Sequence, residues 1–148
     1  MVLWMNDGVS FEEYLAEHGT LTYSNKGTSM EPLLRQGRDL FTVRRKGLER
    51  CRAGDVVLFR RGENYVLHRV IRVRDDDYIC MGDNTVSREY GVKDNDIIGV
   101  LIGIVRKGKE YRTDDPRYQA YTAWTMHTQR ARLLAKRTAM KIRRILRR

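Results

Sequence analysis

From Asp55 onward, apolar residues alternate and cluster as they do in strands covered on one or both faces. Residues 56–59 and 65–73, separated by Arg61-Gly62-Glu63-Asn64, predict a β-hairpin. In its second strand Leu67, Arg69, Ile71 and Val73 fall on one face and Val66, His68, Val70 and Arg72 on the other. Both faces mix apolar and polar groups, which suits a strand partly covered on each side. Residues 78–81 predict a further strand running into Gly82-Asp83-Asn84, residues 97–105 another, and residues 21–23 and 40–44 two shorter ones. Asp75-Asp76-Asp77 predicts a solvated turn, and residues 46–54 a polar loop.

Helical signals flank these strands. Ser10 and Glu13 have capping-box spacing, Phe11, Tyr14 and Leu15 form a short apolar stripe, and Gly19 suits the left-handed residue after a helix. Pro32 suits the first turn of a short helix through Leu33 and Leu34 that Gly37 stops. After Asp114-Asp115-Pro116, Tyr121, Trp124, Thr128, Ala131, Leu134, Thr138, Ile142 and Ile145 recur at helical steps, with cations filling the rest of the surface. The expected fold is mainly β: a twisted antiparallel domain, able to close toward a barrel, with a short N-terminal helix and a basic amphipathic C-terminal helix.

Charge sharpens this division. The net charge is +10, yet residues 1–116 hold 19 Lys and Arg against 19 Asp and Glu, whereas residues 117–148 hold 10 Lys and Arg and no acid. The β domain is therefore expected over residues 1–116 and the basic helix over 117–148. At 148 residues the chain suffices for one cored domain. No window approaches the ~18 apolar residues of a membrane span, and the opening Met1-Val2-Leu3-Trp4-Met5-Asn6-Asp7-Gly8 lacks the basic start of a signal peptide. These features lead to a cytoplasmic expectation, peripheral at the membrane if the basic helix docks there. Cys51 and Cys80 have neither disulfide-scaffold density nor metal-ligand spacing, so reduced structural thiols, no metal and no cofactor are expected.

The candidate chemistry centres on Lys26-Gly27-Thr28-Ser29-Met30-Glu31-Pro32. A serine hydroxyl is a weak nucleophile until a positioned base takes its proton. His68, in an apolar strand, can supply that base, since a free histidine with pKa ~6.5 is largely neutral near pH 7. An orienting acid could come from Asp83 or Glu89. The backbone N–H of Ser29 is the natural oxyanion donor.

Gly-Thr-Ser-Met-Glu-Pro, then Gly54-Asp55-Val56-Val57-Leu58-Phe59 with Tyr65-Val66-Leu67-His68-Arg69-Val70, then Met81-Gly82-Asp83-Asn84, resemble in order and spacing the boxes of the signal peptidase I and SOS-repressor-type serine peptidases. The serine box resembles the signal-peptidase branch, and histidine in place of lysine resembles its endoplasmic-reticulum-type Ser/His subgroup. The resemblance spans about residues 24–105. It implies a signal-peptidase-like β domain and a serine endopeptidase with Ser29 as nucleophile and His68 as base, acting on a peptide or protein substrate laid down as an added strand. Asp83 matches the glycine-aspartate-asparagine box and is the first choice for the acid. Glu89, nearer the acid position of Ser/His members, is the second. Many signal peptidases carry a serine two residues before the nucleophile as a second oxyanion donor; Gly27 stands there, with Thr28 as the substitute. A membrane anchor is part of that family's pattern and is not seen in this sequence.

Three roles for the basic helix are weighed: packing on its own domain, docking on an anionic membrane surface through Trp124 and its cations, and nucleic-acid binding. The last is supported by charge alone, without interleaved stacking aromatics. The alternative function is a peptidase-like binding module with weak catalysis, tethered by this helix to anionic lipid or nucleic acid. Oligomeric state is left open.

Overall fold

The computed structural model describes residues 8–147; the N-terminal stretch read for a signal peptide lies, but for Gly8, outside the described residues. The chain runs α1 (Phe11–His18), β1 (Thr20–Ser24), β2 (Leu40–Arg45), β3 (Val56–Arg61), β4 (Asn64–Val73), β5 (Tyr78–Met81), β6 (Glu89–Val92), a 3-10 turn (Asp94–Asp96), β7 (Ile97–Arg106), β8 (Lys109–Arg112) and α2 (Pro116–Leu146). The mainly antiparallel β domain between two helices matches the expected class. α1 has the full capping box of Ser10 and Glu13 and ends on left-handed Gly19.

The eight strands form one sheet in the order β1-β2-β7-β3-β4-β5-β6, with β8 on β7. β7 is the organising strand. Its first half pairs with β3, its second half with β8, and β2 runs along its other side. The path stays open, because β1 and β6 have no strand partner on their outer sides among the described residues. Closure into a barrel is therefore not what the chain adopts.

Alternation along β3 and β4 builds two cores. Val56, Leu58 and Leu67 join Phe11, Leu15, Met30, Leu34, Phe41 and Leu101 on one face of the sheet. Val57, Phe59, Val66 and Val70 join Cys51, Tyr78, Cys80 and Val100 on the other. β4 is thus buried from Val66 to Val70, with His68 on the second face and Arg69 pointing the opposite way. A bulge where Val70 pairs with Cys80 and Arg72 with Ile79 ends this covered stretch. Both thiols are free and buried; removal from water pushes Cys51 up to about 11 and Cys80 to about 12.

One expectation needs correction. Residues 32–34 form turns and no helix: the Leu34 amide reaches the Met30 carbonyl (3.0 Å), but Asp39 takes the amides of Arg35 (2.7 Å) and Lys107 (3.1 Å) and Asn25 donates to the Leu34 carbonyl (3.1 Å), so side chains take over after a single turn. α2 packs on its own domain, one of the roles weighed for it, and Tyr121 of the apolar stripe takes part in that packing. Tyr118, Thr125 and Leu133 are its buried residues, Tyr121, Gln129, Arg132 and Lys136 join them in contact with the domain, and the stripe from Ala131 to Ile145 is turned to solvent.

Phe11 anchors α1 to the sheet, with edge-on contacts to Tyr23 and Tyr65, each at 5.1 Å between ring centroids. Phe11→Ala is expected to destabilise the domain by about 3–5 kcal/mol, read as a lower urea midpoint with an unchanged slope.

Candidate active site

Ser29 sits in the loop between β1 and β2, and this loop is held from three sides. Gly27 adopts the left-handed conformation (φ 79°) and its amide donates to Gln36 Oε1 at 2.7 Å. Met30, fully buried, pins the next residue into the first core. From the β5–β6 loop the Asn84 amide donates to the Ser29 carbonyl (2.9 Å), and Asn84 Nδ2 donates to the Thr28 carbonyl (3.0 Å). The Gly82-Asp83-Asn84 segment is therefore docked directly against the serine loop.

Gly82 is the point of closest approach. A Cβ built there would lie 2.5 Å from the Ser29 carbonyl oxygen and 3.1 Å from His68 Nε2, so only glycine lets the serine backbone and the imidazole flank the same spot. Ser29 and His68, remote in sequence, are thereby brought together across one residue. His68 pairs with Val57 in the ladder, stands between Val66 and Val70, and meets the Phe59 ring edge-on at 6.2 Å.

The polar atoms at this junction are left over. Ser29 Oγ, His68 Nδ1 and His68 Nε2 are buried with no well-aligned hydrogen bond, and Asn25 Oδ1 is the one other buried side-chain atom in that condition among the described residues. Most buried polar groups are satisfied, so their concentration on Ser29 and His68 marks this spot out. Glu89 Oε1, at the start of β6, approaches His68 Nδ1 to 3.2 Å. That is ion-pair distance, off the line of the Nδ1–H. Burial raises the Glu89 pKa, but the close approach of His68 and the Arg61 charge outweigh it, so the carboxyl stands below its ordinary value and is ionised. Arg61 Nη1 holds the same oxygen at 2.5 Å.

Asp83, the first choice for the acid, is engaged elsewhere. Its carboxylate takes a bidentate pair from Arg69, Nε to Oδ1 at 2.8 Å and Nη2 to Oδ2 at 2.9 Å, and Oδ2 also accepts from the Tyr121 hydroxyl at 2.8 Å. Arg69 is 1% exposed. Burial lowers the Arg69 pKa, but the Asp83 charge and bonds more than offset this and leave it above the ordinary value. Burial and then the same carboxylate raise the Tyr121 hydroxyl. Asp83 thus braces β4, its own loop and α2, while the acid against the imidazole is Glu89. Both residues face where the alternation of β4 sends their partners: His68 to the second core, Arg69 to α2.

Sequence reasoning missed what α2 does to this loop. Arg132 Nη1 donates to the Asp83 carbonyl at 2.6 Å, and Lys136 Nζ donates to the Asn84 carbonyl at 2.6 Å and to Asn84 Oδ1. Arg132 is held in turn by the Thr125 carbonyl (2.8 Å) and hydroxyl (2.6 Å). Burial and the Arg132 charge lower the Lys136 pKa. The four-residue step from Arg132 to Lys136 was the available signal, since it puts both cations on one face of the helix.

For the oxyanion donors, the Ser29 amide donates to no acceptor among the described residues, and Thr28 is exposed with its carbonyl taken up by Asn84. An apolar cleft of about 360 Å³ beside the serine loop, lined by Pro32, Leu33, Tyr111, Tyr118, Tyr121 and Trp124 among others, includes neither Ser29 nor His68. Among the described residues no three His, Cys, Asp or Glu side chains gather as metal ligands would, and no helix is long and apolar enough to cross a membrane.

Compared with protein-family models, curated proteins and solved structures, the chain matches none. The arrangement of Ser29, His68 and Glu89 therefore has to be judged on its own geometry.

The two acids separate experimentally. Asp83→Ala leaves the buried Arg69 unpaired and is expected to cost about 3–5 kcal/mol in urea unfolding. Glu89 behaves differently with pH. Because its pKa is lowered in the fold, its contribution to stability is present above the unfolded value of ~4.3 and is lost as pH falls toward the folded one. Unfolding midpoints of the wild type and Glu89→Gln should therefore differ near neutral pH and converge as the buffer is taken below about pH 4.

Proposed function

We propose that this protein is a serine endopeptidase, with Ser29 as nucleophile, His68 as general base and Glu89 as the acid that orients the base. One observation carries the reading: Ser29 Oγ and both ring nitrogens of His68 are buried without well-aligned bonds at a junction that only Gly82 keeps open. Most buried polar groups are paired, and a hydroxyl and an imidazole left without partners about the same glycine are the pair that a serine peptidase uses. Hydrogen bonds of catalytic groups commonly tighten only once substrate is bound.

The approach of Glu89 favours the tautomer with the proton on Nδ1, so Nε2, the nitrogen on the Gly82 side, is the base. Nε2 takes the hydroxyl proton as Ser29 Oγ bonds to the scissile carbonyl carbon, and the imidazolium formed is stabilised by the ionised Glu89. The developing oxyanion would be met by the Ser29 amide. The proton on Nε2 then passes to the leaving amine as the C–N bond breaks; water, deprotonated by the same nitrogen, attacks the acyl carbon, and that proton returns to Ser29 Oγ as its bond to the acyl group breaks. The resemblance of the serine, histidine and Gly-Asp-Asn boxes to signal peptidases supports a peptide carbonyl as the target. The acid assignment departs from the box-based choice of Asp83, whose carboxylate is occupied by Arg69 and Tyr121.

The test is covalent labelling by a serine-reactive acylating probe, located by peptide mass mapping. Wild type is expected to label at Ser29, at a rate that climbs as the imidazole gives up its proton. Ser29→Ala should not label, and His68→Ala should be slower by about 100-fold or more. Equal labelling of the wild type and His68→Ala would remove the histidine from the mechanism. A wild type that labels no faster than Ser29→Ala would end the peptidase reading.

A further inference from the structure

α2 is amphipathic, and much of what binds it to its own domain is polar. Of the residues on the domain side, Tyr121, Gln129, Arg132 and Lys136 bind it through hydroxyl, amide and cationic groups, Tyr118 and Leu133 are buried beside them, and Thr125 is buried where it holds Arg132. The opposite face carries Trp124, Ala131, Leu134, Thr138, Ile142 and Ile145, again at helical spacing, and this face is exposed. Leu134 is 69% exposed and Ile145 67%. From Arg137 to Arg147 every residue is exposed. A soluble helix ordinarily turns its apolar stripe inward, so a stripe turned outward over five turns points to a partner.

The charges around the stripe say which partner. Arg130, Arg137, Lys141 and Arg144 flank it on one side, all exposed, and residues 117–148 contain no acid. A second copy of the chain would set one acid-free cationic helix against another. A nucleic acid would meet the cations but leave Leu134, Ile142 and Ile145 in water. An anionic bilayer surface satisfies both features, with the stripe at the acyl boundary and the cations among the headgroups. We propose that the outer face of α2 docks the protein on anionic phospholipid membranes, the helix lying along the surface, while its inner face continues to hold the Asp83–Asn84 loop. This inference stands independently of the peptidase reading, because none of the stripe residues enters the Ser29 site.

The test uses the full chain and sedimentation with vesicles of phosphatidylcholine alone or mixed with phosphatidylglycerol. Binding to the mixed vesicles is expected to be at least about tenfold tighter than to phosphatidylcholine, and to weaken as salt is raised. Leu134→Glu with Ile142→Glu should lose about tenfold or more. Replacing Arg137, Lys141 and Arg144 with Gln should remove the preference for the anionic lipid. Because these side chains are exposed, circular dichroism and Ser29 labelling in solution should match the wild type. Equal binding to both vesicle types, or binding that survives the double Glu variant, would overturn the proposal. So would duplex DNA binding tighter than vesicle binding, or a dimer that the double Glu variant dissociates. The readout does not involve Ser29, so an inactive serine would leave this result unchanged.

Discussion

The arrangement turns on one buried ion pair, Arg69 with Asp83. The guanidinium sits on β4 immediately after His68, the carboxylate sits immediately after Gly82, and the two are joined bidentately with almost no exposure to water. Arg69 also reaches the Gly54 carbonyl at 2.7 Å and the Thr122 hydroxyl at 3.2 Å, and Tyr121 closes the far side of Asp83. Four separate pieces of chain thus meet at one planar cation: β4, the loop before β3, the Gly82–Asn84 segment and α2. Guanidinium suits this post because its fork of fixed donors can serve several acceptors at once.

A buried ion pair is a poor source of net stability, since desolvation offsets most of its attraction. Its worth here is positional. Each partner is one residue away from a group at the serine junction, so locking Arg69 to Asp83 fixes the register between His68 on one segment and Gly82 on the other. Gly82 in turn sets how near the Ser29 carbonyl and the imidazole come. The chain of contacts continues through Asn84 to the serine loop and through Arg132 and Lys136 to α2. An aspartate whose sequence box suggests a role in chemistry is instead the brace that fixes where His68 and Gly82 stand.

The sequence made much of this legible, for physical reasons that differ between elements. The hairpin of β3 and β4 and the first helix follow from alternation and capping, which are local, and both appear where expected. The face assignment of β4 also follows from a strand's two-residue period, and it separates His68 from Arg69 correctly. β6 and β8 were not legible, because four residues such as Glu89–Val92 carry too little pattern to be distinguished from a loop. The identity of the acid against His68 depends on how β6 pairs with β5, a long-range register that no local pattern encodes. For α2 the period was right and the docking face was not legible: an apolar stripe was visible, while the cations that dock the helix bind loop carbonyls that only the folded chain gathers.

The separation of charge between the two parts of the chain has an effect before anything is touched. A neutral domain joined to a helix of 31 residues, roughly 46 Å long, that with the arginines after it holds the whole surplus of positive charge, is a strongly polar body. In an external field it experiences a torque as well as a pull. Approaching any negatively charged surface, the molecule is turned so that the helix leads and the β domain trails, over distances set by the Debye length. Encounters therefore begin from a narrow range of orientations instead of a random one, and the face that carries Ser29 and His68 arrives with its attitude already chosen.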